Sequence, residues 1–185
     1  MQALYEAVRA GDRDKVKSLV AADPTLAIFA AAMLGDTAEM SRLLAADKSL
    51  VAAVSSDGWY PLHLAAHFAR TDAVHVLLDH GAQADARSTN ALKNTALHAA
   101  AAGRARQAAK LLIEHGAGAG ATQQGGWSPL HAAAQNGDLE FARILIEAGA
   151  DVNVRAENQQ RPLDLALTKG QQAMVDLLES HGAKL

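Results

Sequence analysis

The sequence contains no cysteine, and only 4% of its 185 residues are aromatic. Without cysteine, a disulfide framework and thiolate metal sites are excluded, and the composition fits a reducing compartment, so we expect a cytoplasmic protein. The longest apolar run, residues 26–34, is too short to cross a bilayer. Residues 1–20 lack the basic start and apolar core of a secretion signal, so we expect neither membrane insertion nor export.

The charges are nearly balanced and dispersed along the chain. There are 17 lysines and arginines against 20 aspartates and glutamates, and no basic cluster is present. These charges exclude a strong field for phosphates, so we expect no nucleic-acid partner. Half of the residues are hydrophobic, and because few are aromatic, alanine supplies much of this content. Small apolar residues are typical of helices that pack closely together.

The chain repeats itself. Four leucines recur at intervals of 35, 33 and 33 residues, and four glycines recur at the same intervals. Two shorter copies precede them and align through Gly11 and Gly35. The leucines and glycines of the four longer copies are Leu62, Leu97, Leu130 and Leu163, and Gly81, Gly116, Gly149 and Gly182.

The fifth copy shows how one unit is built. Ser128 can cap a helix that starts at Pro129, and Gly137 permits the left-handed turn that ends it. A second helix with a buried face over residues 144–146 follows and ends at Gly149. One such helix pair buries too little surface to be stable, so neighbouring units must stack to complete the core.

The segment SPLHAAAQNGDLEFARILIEAGADVN, residues 128–153, resembles the ankyrin repeat. The resemblance extends over essentially the whole chain. It implies an α-solenoid, a stack of antiparallel helix pairs joined by β-turn or β-hairpin fingers, in which the fingers and first helices line a concave groove. We expect one domain, residues 1–185, with six units: 1–24 as an N-terminal cap, 25–56 as a short second repeat, 57–90, 91–124, 125–157, and 158–185 as a C-terminal cap.

The third and fourth units depart from this pattern. Ala69 and Arg104 stand where other units have the turn glycine, and we expect Gly103 to adopt the left-handed conformation one residue before Arg104. Ala91 and Leu92 account for the longer spacing of the fourth unit, which predicts a distorted finger there.

The histidines have structural explanations. His63, His98 and His131 occupy one repeat position, and the family resemblance implies that their imidazoles bond to the backbone of adjoining fingers. Three further histidines each precede a helix-ending glycine, where a positive charge favours the helix dipole. They are His80, His115 and His181.

A metal or catalytic site has little support in the sequence. His63 and His67 are four residues apart, like paired zinc ligands, but Leu64 stands where a metalloprotease would carry glutamate, and no third ligand is evident. We expect carboxylates such as Asp138 to lie solvated on the outer helices. We therefore predict no catalytic residue, no metal and no cofactor.

The candidate partner-binding residues occupy positions that the repeat leaves free, after the finger turns and near the ends of the first helices. The resemblance implies that such positions contact partners. An alternative is that each tryptophan packs on the next finger. The candidates are Met33, Leu34, Trp59, His67, Phe68, Asn94, Trp127, Gln135, Asn136, Gln160 and Lys169.

Three functions follow from these observations. The first is a monomeric protein–protein interaction module that binds a protein or peptide in the groove as an adaptor, inhibitor or targeting module. The alternative is a small-molecule or metal-dependent enzyme that uses the face of His63, His67 and Trp59. The third is a structural repeat whose groove meets only copies of itself.

Overall fold

The computed structural model describes residues 1–184 and contains, in that range, twelve α-helices arranged as six stacked pairs. This confirms the predicted α-solenoid. Short 3₁₀ turns cover Pro24–Leu26 and Lys48–Ala52. The helices are α1 (Gln2–Ala10), α2 (Arg13–Ala22), α3 (Ala27–Leu34), α4 (Thr37–Ala46), α5 (Pro61–His67), α6 (Thr71–Asp79), α7 (Ala96–Ala102), α8 (Arg106–Glu114), α9 (Pro129–Asn136), α10 (Leu139–Glu147), α11 (Pro162–Thr168) and α12 (Gln172–Ser180).

The helix ends of the fifth unit follow from its capping residues. The Ser128 hydroxyl accepts a hydrogen bond from the His131 amide at 3.4 Å, and Pro129 is the first residue of α9. Gly137 ends α9 with a φ of 66°, and the carboxylate of Asp138 then accepts the amide of Phe141 at the start of α10. The boundaries predicted for α9 are confirmed.

A single hydrophobic core runs along the stack. The first helices of neighbouring units contact one another from α1 through α3, α5, α7 and α9 to α11, and the second helices do so from α4 to α12. Alanines such as Ala66, Ala100 and Ala134 are fully buried, and their small side chains let the helices approach closely. The four recurring leucines are buried in the same core.

The turn after α7 corrects one prediction. Ala69 and Arg104 have positive φ values of 55° and 53°, so both non-glycine residues adopt the left-handed conformation. Gly103 has a φ of −84° and does not replace Arg104 in that role. Gly103 is needed for a close approach, because a Cβ atom there would lie 2.0 Å from the carbonyl oxygen of His67 on α5.

The fingers are tight turns, and no strands are seen in them within residues 1–184, so the β-hairpin form of the expected fingers is not observed. One backbone N–H···O=C bond of 2.8–2.9 Å closes each finger. The loop of the fourth unit is two residues longer than the others, as Ala91 and Leu92 predict. The amide and carbonyl partners are Ser55 and Trp59, Ser88 and Asn94, Gln123 and Trp127, and Ala156 and Gln160.

Neighbouring fingers are joined by further backbone hydrogen bonds. The amide of Thr89 donates to the carbonyl of Gly58 at 2.9 Å, and the amide of Gln124 donates to the carbonyl of Leu92 at 2.8 Å. These bonds make the fingers a continuous edge beside the first helices. Of the helices in residues 1–184, none has the length and apolar character that crossing a membrane requires.

Candidate functional site

A groove of about 530 Å³ lies between the fingers and the first helices. We call it the indole groove, because both tryptophans of the chain border it. Its walls come from α1, α5, α7 and α9 and from the fingers of the third, fourth and fifth units. Six of the candidate residues line it: Trp59, His67, Asn94, Trp127, Gln135 and Asn136.

Met33 is not a groove residue, contrary to the prediction. Its side chain is 0% exposed, and its carbonyl oxygen accepts a hydrogen bond from Arg70 Nε at 2.9 Å. The second unit is short, and α3 is covered by α1 and α5 on its two sides. The same position in longer units is open, as at Ala102 and Gln135, which are exposed.

Four other candidates also lie outside the lining of the indole groove. Leu34 is half-buried beside Arg70, in a separate depression between the second and third units. Phe68 packs against the ring of Tyr5, a lining residue, with the ring centroids 5.6 Å apart. Gln160 is half-buried, and Lys169 is exposed.

Asn94 borders the groove, but its side chain is buried and hydrogen-bonded, whereas the prediction had it free to contact a partner. It is 6% exposed, and its Oδ1 accepts a hydrogen bond from the Ser88 hydroxyl at 2.7 Å. Its backbone carbonyl accepts a bond from His63 Nε2 at 3.0 Å. The longer finger of the fourth unit needs these bonds to close, so Asn94 holds the finger together.

The rings on which the two tryptophans pack belong to histidines of their own units, whereas the alternative considered from the sequence was packing on the next finger. Trp127 stacks on His131, with the ring centroids 4.8 Å apart, and Trp59 lies 5.6 Å from the ring of His63. Both indoles are partly buried in this way, and both still border the groove. Packing against a histidine of the same unit orients each ring.

The recurring histidines connect one unit to the finger of the next. The Nε2 atom of each donates a hydrogen bond of 3.0 Å to a backbone carbonyl. The bonds run from His63 to Asn94, from His98 to Trp127 and from His131 to Gln160. The Nδ1 atoms of His98 and His131 accept the backbone amides of Thr95 and Ser128. These bonds require the neutral imidazole with its proton on Nε2.

Burial keeps these imidazoles uncharged. It lowers the pKa of His63 and the pKa of His98 to about 4. Tyr60 stands where Thr95 and Ser128 supply a hydroxyl, and the Nδ1 atom of His63 has no hydrogen-bond partner among residues 1–184. The pKa of His67 is also lowered, first by burial and then by Arg9, whose guanidinium lies 3.4 Å from His67 Nε2.

The arrangement gives no support to the metal-dependent alternative. His63 Nε2 already bonds to the Asn94 carbonyl, so it is not available to a metal shared with His67. Across residues 1–184, no group of three or more histidine, aspartate or glutamate side chains is placed to hold a metal ion. Asp138, expected to be solvated, is 5% exposed and accepts a hydrogen bond from Arg106 Nε at 2.9 Å.

Among the lining residues that sequence reasoning missed are Tyr5, Leu92 and Gln123. Tyr5 aligns, through Gly11, with the repeat position of His63, which was the available signal. Leu92 had been identified only as part of an insertion, yet it is 47% exposed at the rim. An apolar residue added at a finger tip has no place in the core, and this could have marked it as a contact residue.

The comparisons with known proteins agree with this architecture. A family model described as ankyrin repeats in three copies matches residues 4–88 and again residues 97–185. The unmatched residues 89–96 contain the inserted Ala91 and Leu92. The curated proteins include no match to the chain. Since the family model covers nearly all of the sequence and the helices stack in pairs along it, the chain belongs to the ankyrin-repeat family.

Proposed function

We propose that this protein binds a segment of another protein in the indole groove. Ankyrin repeats are generally protein–protein interaction modules. The observation that carries the proposal is that the only two tryptophans of the chain border one groove, together with Tyr5 and Leu92. Aromatic residues that flank a concave surface are typical anchors of protein interfaces and supply most of the binding energy.

The groove is built to remain open without a partner. The carbonyl groups of Asn94 and Trp127 are held by His63 and His98, so the finger residues on its wall are bonded to the helices behind them. A preformed surface binds with a smaller entropy cost than one that must be ordered. Within this proposal the protein is an adaptor, inhibitor or targeting module, and it acts as a cytoplasmic monomer.

Selection of random dodecapeptides displayed on phage tests the proposal. We expect enriched peptides whose synthetic forms change the tryptophan emission of the protein, because every tryptophan of the chain borders the groove. Ala102→Tyr places a ring in the groove from an exposed position on α7, and we expect it to weaken binding by about ten-fold or more.

The matched control is Ala45→Tyr, an exposed alanine on α4 that does not line the groove. Circular dichroism melting should show both variants folded. Peptides that bind both variants and the parent protein equally would place the interaction elsewhere on the molecule. A selection without any enrichment over an unrelated protein would also overturn the proposal.

A further inference from the structure

We infer that the segment bound in the indole groove is uncharged and anchored by an apolar side chain, which Leu92 covers from the finger of the fourth unit. This inference rests on the function proposed above. It adds the chemistry of the partner and a residue that determines specificity. Three observations carry it: the charge of the lining, the free amide groups, and the position of Leu92.

The lining contains no aspartate, glutamate, lysine or arginine. Its three histidines are His63, His67 and His98, and burial lowers the pKa of each. The groove therefore has no formal charge at neutral pH. A charged side chain placed in it would lose hydration and find no ionised partner in the lining, which costs free energy, whereas an apolar side chain gains from burial.

Charged groups stay outside the lining, although two approach it: the Arg9 guanidinium is 3.4 Å from His67 Nε2, and Arg87 contributes to the lowered pKa of His98. Arg9 and Asp57 line a separate depression on the far side of Tyr5. Arg104 donates to the backbone carbonyl of Asn136 at 3.3 Å, but is not itself part of the lining. Charged residues of a partner can thus be accommodated on either side of the anchor but not at the anchor itself.

Three primary amides of the lining are free to pair with a peptide backbone. The side chains of Gln123, Gln135 and Asn136 make no hydrogen bond within the described residues 1–184, unlike that of Asn94. A primary amide offers both donors and an acceptor, which matches the N–H and C=O groups of an extended chain. This pairing favours a peptide segment over a purely apolar ligand.

Leu92 is an exposed apolar side chain on a fixed backbone. Its amide donates to Asn90 Oδ1 at 3.1 Å, and its carbonyl accepts the amide of Gln124 at 2.8 Å. These bonds hold the residue at the rim while its side chain stays 47% exposed. Contact with an apolar anchor would remove this surface from water, which favours binding.

A positional-scanning library of acetylated, amidated octapeptides tests the charge of the anchor, with tryptophan emission as the readout. In each sublibrary one position is fixed and the others are mixed. We expect sublibraries fixed as leucine, isoleucine, methionine or phenylalanine at one position to bind about ten-fold more tightly than those fixed as aspartate, glutamate, lysine or arginine. Tighter binding by a charged set would overturn the inference.

Leu92→Asp tests whether Leu92 covers the anchor, and the measurement is the affinity of the variant for the tightest-binding octapeptide of that library. We expect it to weaken binding by about ten-fold or more, whereas Leu92→Met should preserve it. The matched control is Val54→Asp, because Val54 is 46% exposed on another finger and does not line the groove. We expect less than about a two-fold effect from this control.

The outcomes separate the two proposals. If Ala102→Tyr abolishes binding of the octapeptide but Leu92→Asp does not, the groove binds peptides and the inference about Leu92 is wrong. If no sublibrary binds and Ala102→Tyr leaves the binding of the phage-selected peptides unchanged, both proposals fail. If light scattering shows self-association that Leu92→Asp abolishes, the occupant is a second copy of this chain, and the peptide assignment is overturned.

Discussion

His98 Nε2 donates a hydrogen bond to the backbone carbonyl oxygen of Trp127 across 3.0 Å. The histidine belongs to α7 of the fourth unit, and the tryptophan belongs to the finger of the fifth unit and borders the indole groove. His63 has the same relationship to Asn94 one unit earlier. The bonds that join the repeats therefore also fix the backbone of the candidate binding surface.

We expect His98→Ala to lower the free energy of unfolding by about 3 kcal/mol, because it leaves the Trp127 carbonyl without its partner and opens a space in the core. Urea unfolding measures this loss. His115→Ala is the control, since His115 is exposed and bonds only to the Leu111 carbonyl of its own helix. Equal losses in the two variants would contradict a joining role for His98.

Stability should depend on pH through the buried histidines. In the unfolded chain His63 and His98 take up protons near pH 6.5, whereas in the folded chain the pKa of each is about 4. The unfolded state therefore binds more protons between these values, and the free energy of unfolding falls as the pH decreases from about 6.5 to about 4. The free energy of unfolding falls by on the order of 3 kcal/mol for each histidine. Above pH 6.5 neither histidine contributes to the pH dependence of stability.

Urea unfolding at a series of pH values between about 7 and about 4 measures this slope. His63→Gln provides the control, because the Gln amide can still donate to the Asn94 carbonyl but does not titrate. We expect a shallower slope for this variant than for the parent chain. An unchanged slope would show that other groups cause the acid sensitivity.

We expect Ala69→Gly to raise the free energy of unfolding by about 1 kcal/mol. Ala69 has a φ of 55°, a conformation that glycine adopts without a steric penalty. Thermal or urea unfolding measures the gain. Gly11→Ala is the mirror-image control: Gly11 has a φ of 69°, and nothing lies within 4 Å of the position that an added methyl group would take, so the change should cost about 1 kcal/mol through φ alone. The same sign for both changes would refute this account.

Gly103→Ala should lower the free energy of unfolding by about 3 kcal/mol for a different reason. The φ of Gly103 suits any residue, but the added methyl would lie 2.0 Å from the His67 carbonyl oxygen and force α7 away from α5. Gly120→Ala should be nearly neutral, because nothing lies within 4 Å of its Cβ position. Urea unfolding of both variants checks this, and a tolerated Gly103→Ala would show that the two helices can separate there at little cost.

The sequence by itself determined the period of the repeat, the ends of the helices in the fifth unit and the extra length of the fourth finger. These depend on residues close together in the chain: Ser128 caps α9 three residues away, and Ala91 and Leu92 lengthen one turn locally. Six of the eleven candidate residues could be placed on the groove for the same reason, since a position within the repeat predicts the face on which it lies.

Only the tertiary structure decided which of those faces stay open. Met33 and Asn94 occupy positions that the repeat leaves free. However, α1 and α5 enclose α3, which carries Met33, and the Ser88 hydroxyl donates a hydrogen bond to the side chain of Asn94. The need for Gly103 likewise comes from His67, one unit away. Burial and steric contact depend on residues from neighbouring units, and their approach is set by the packing of whole helices, which no single repeat encodes.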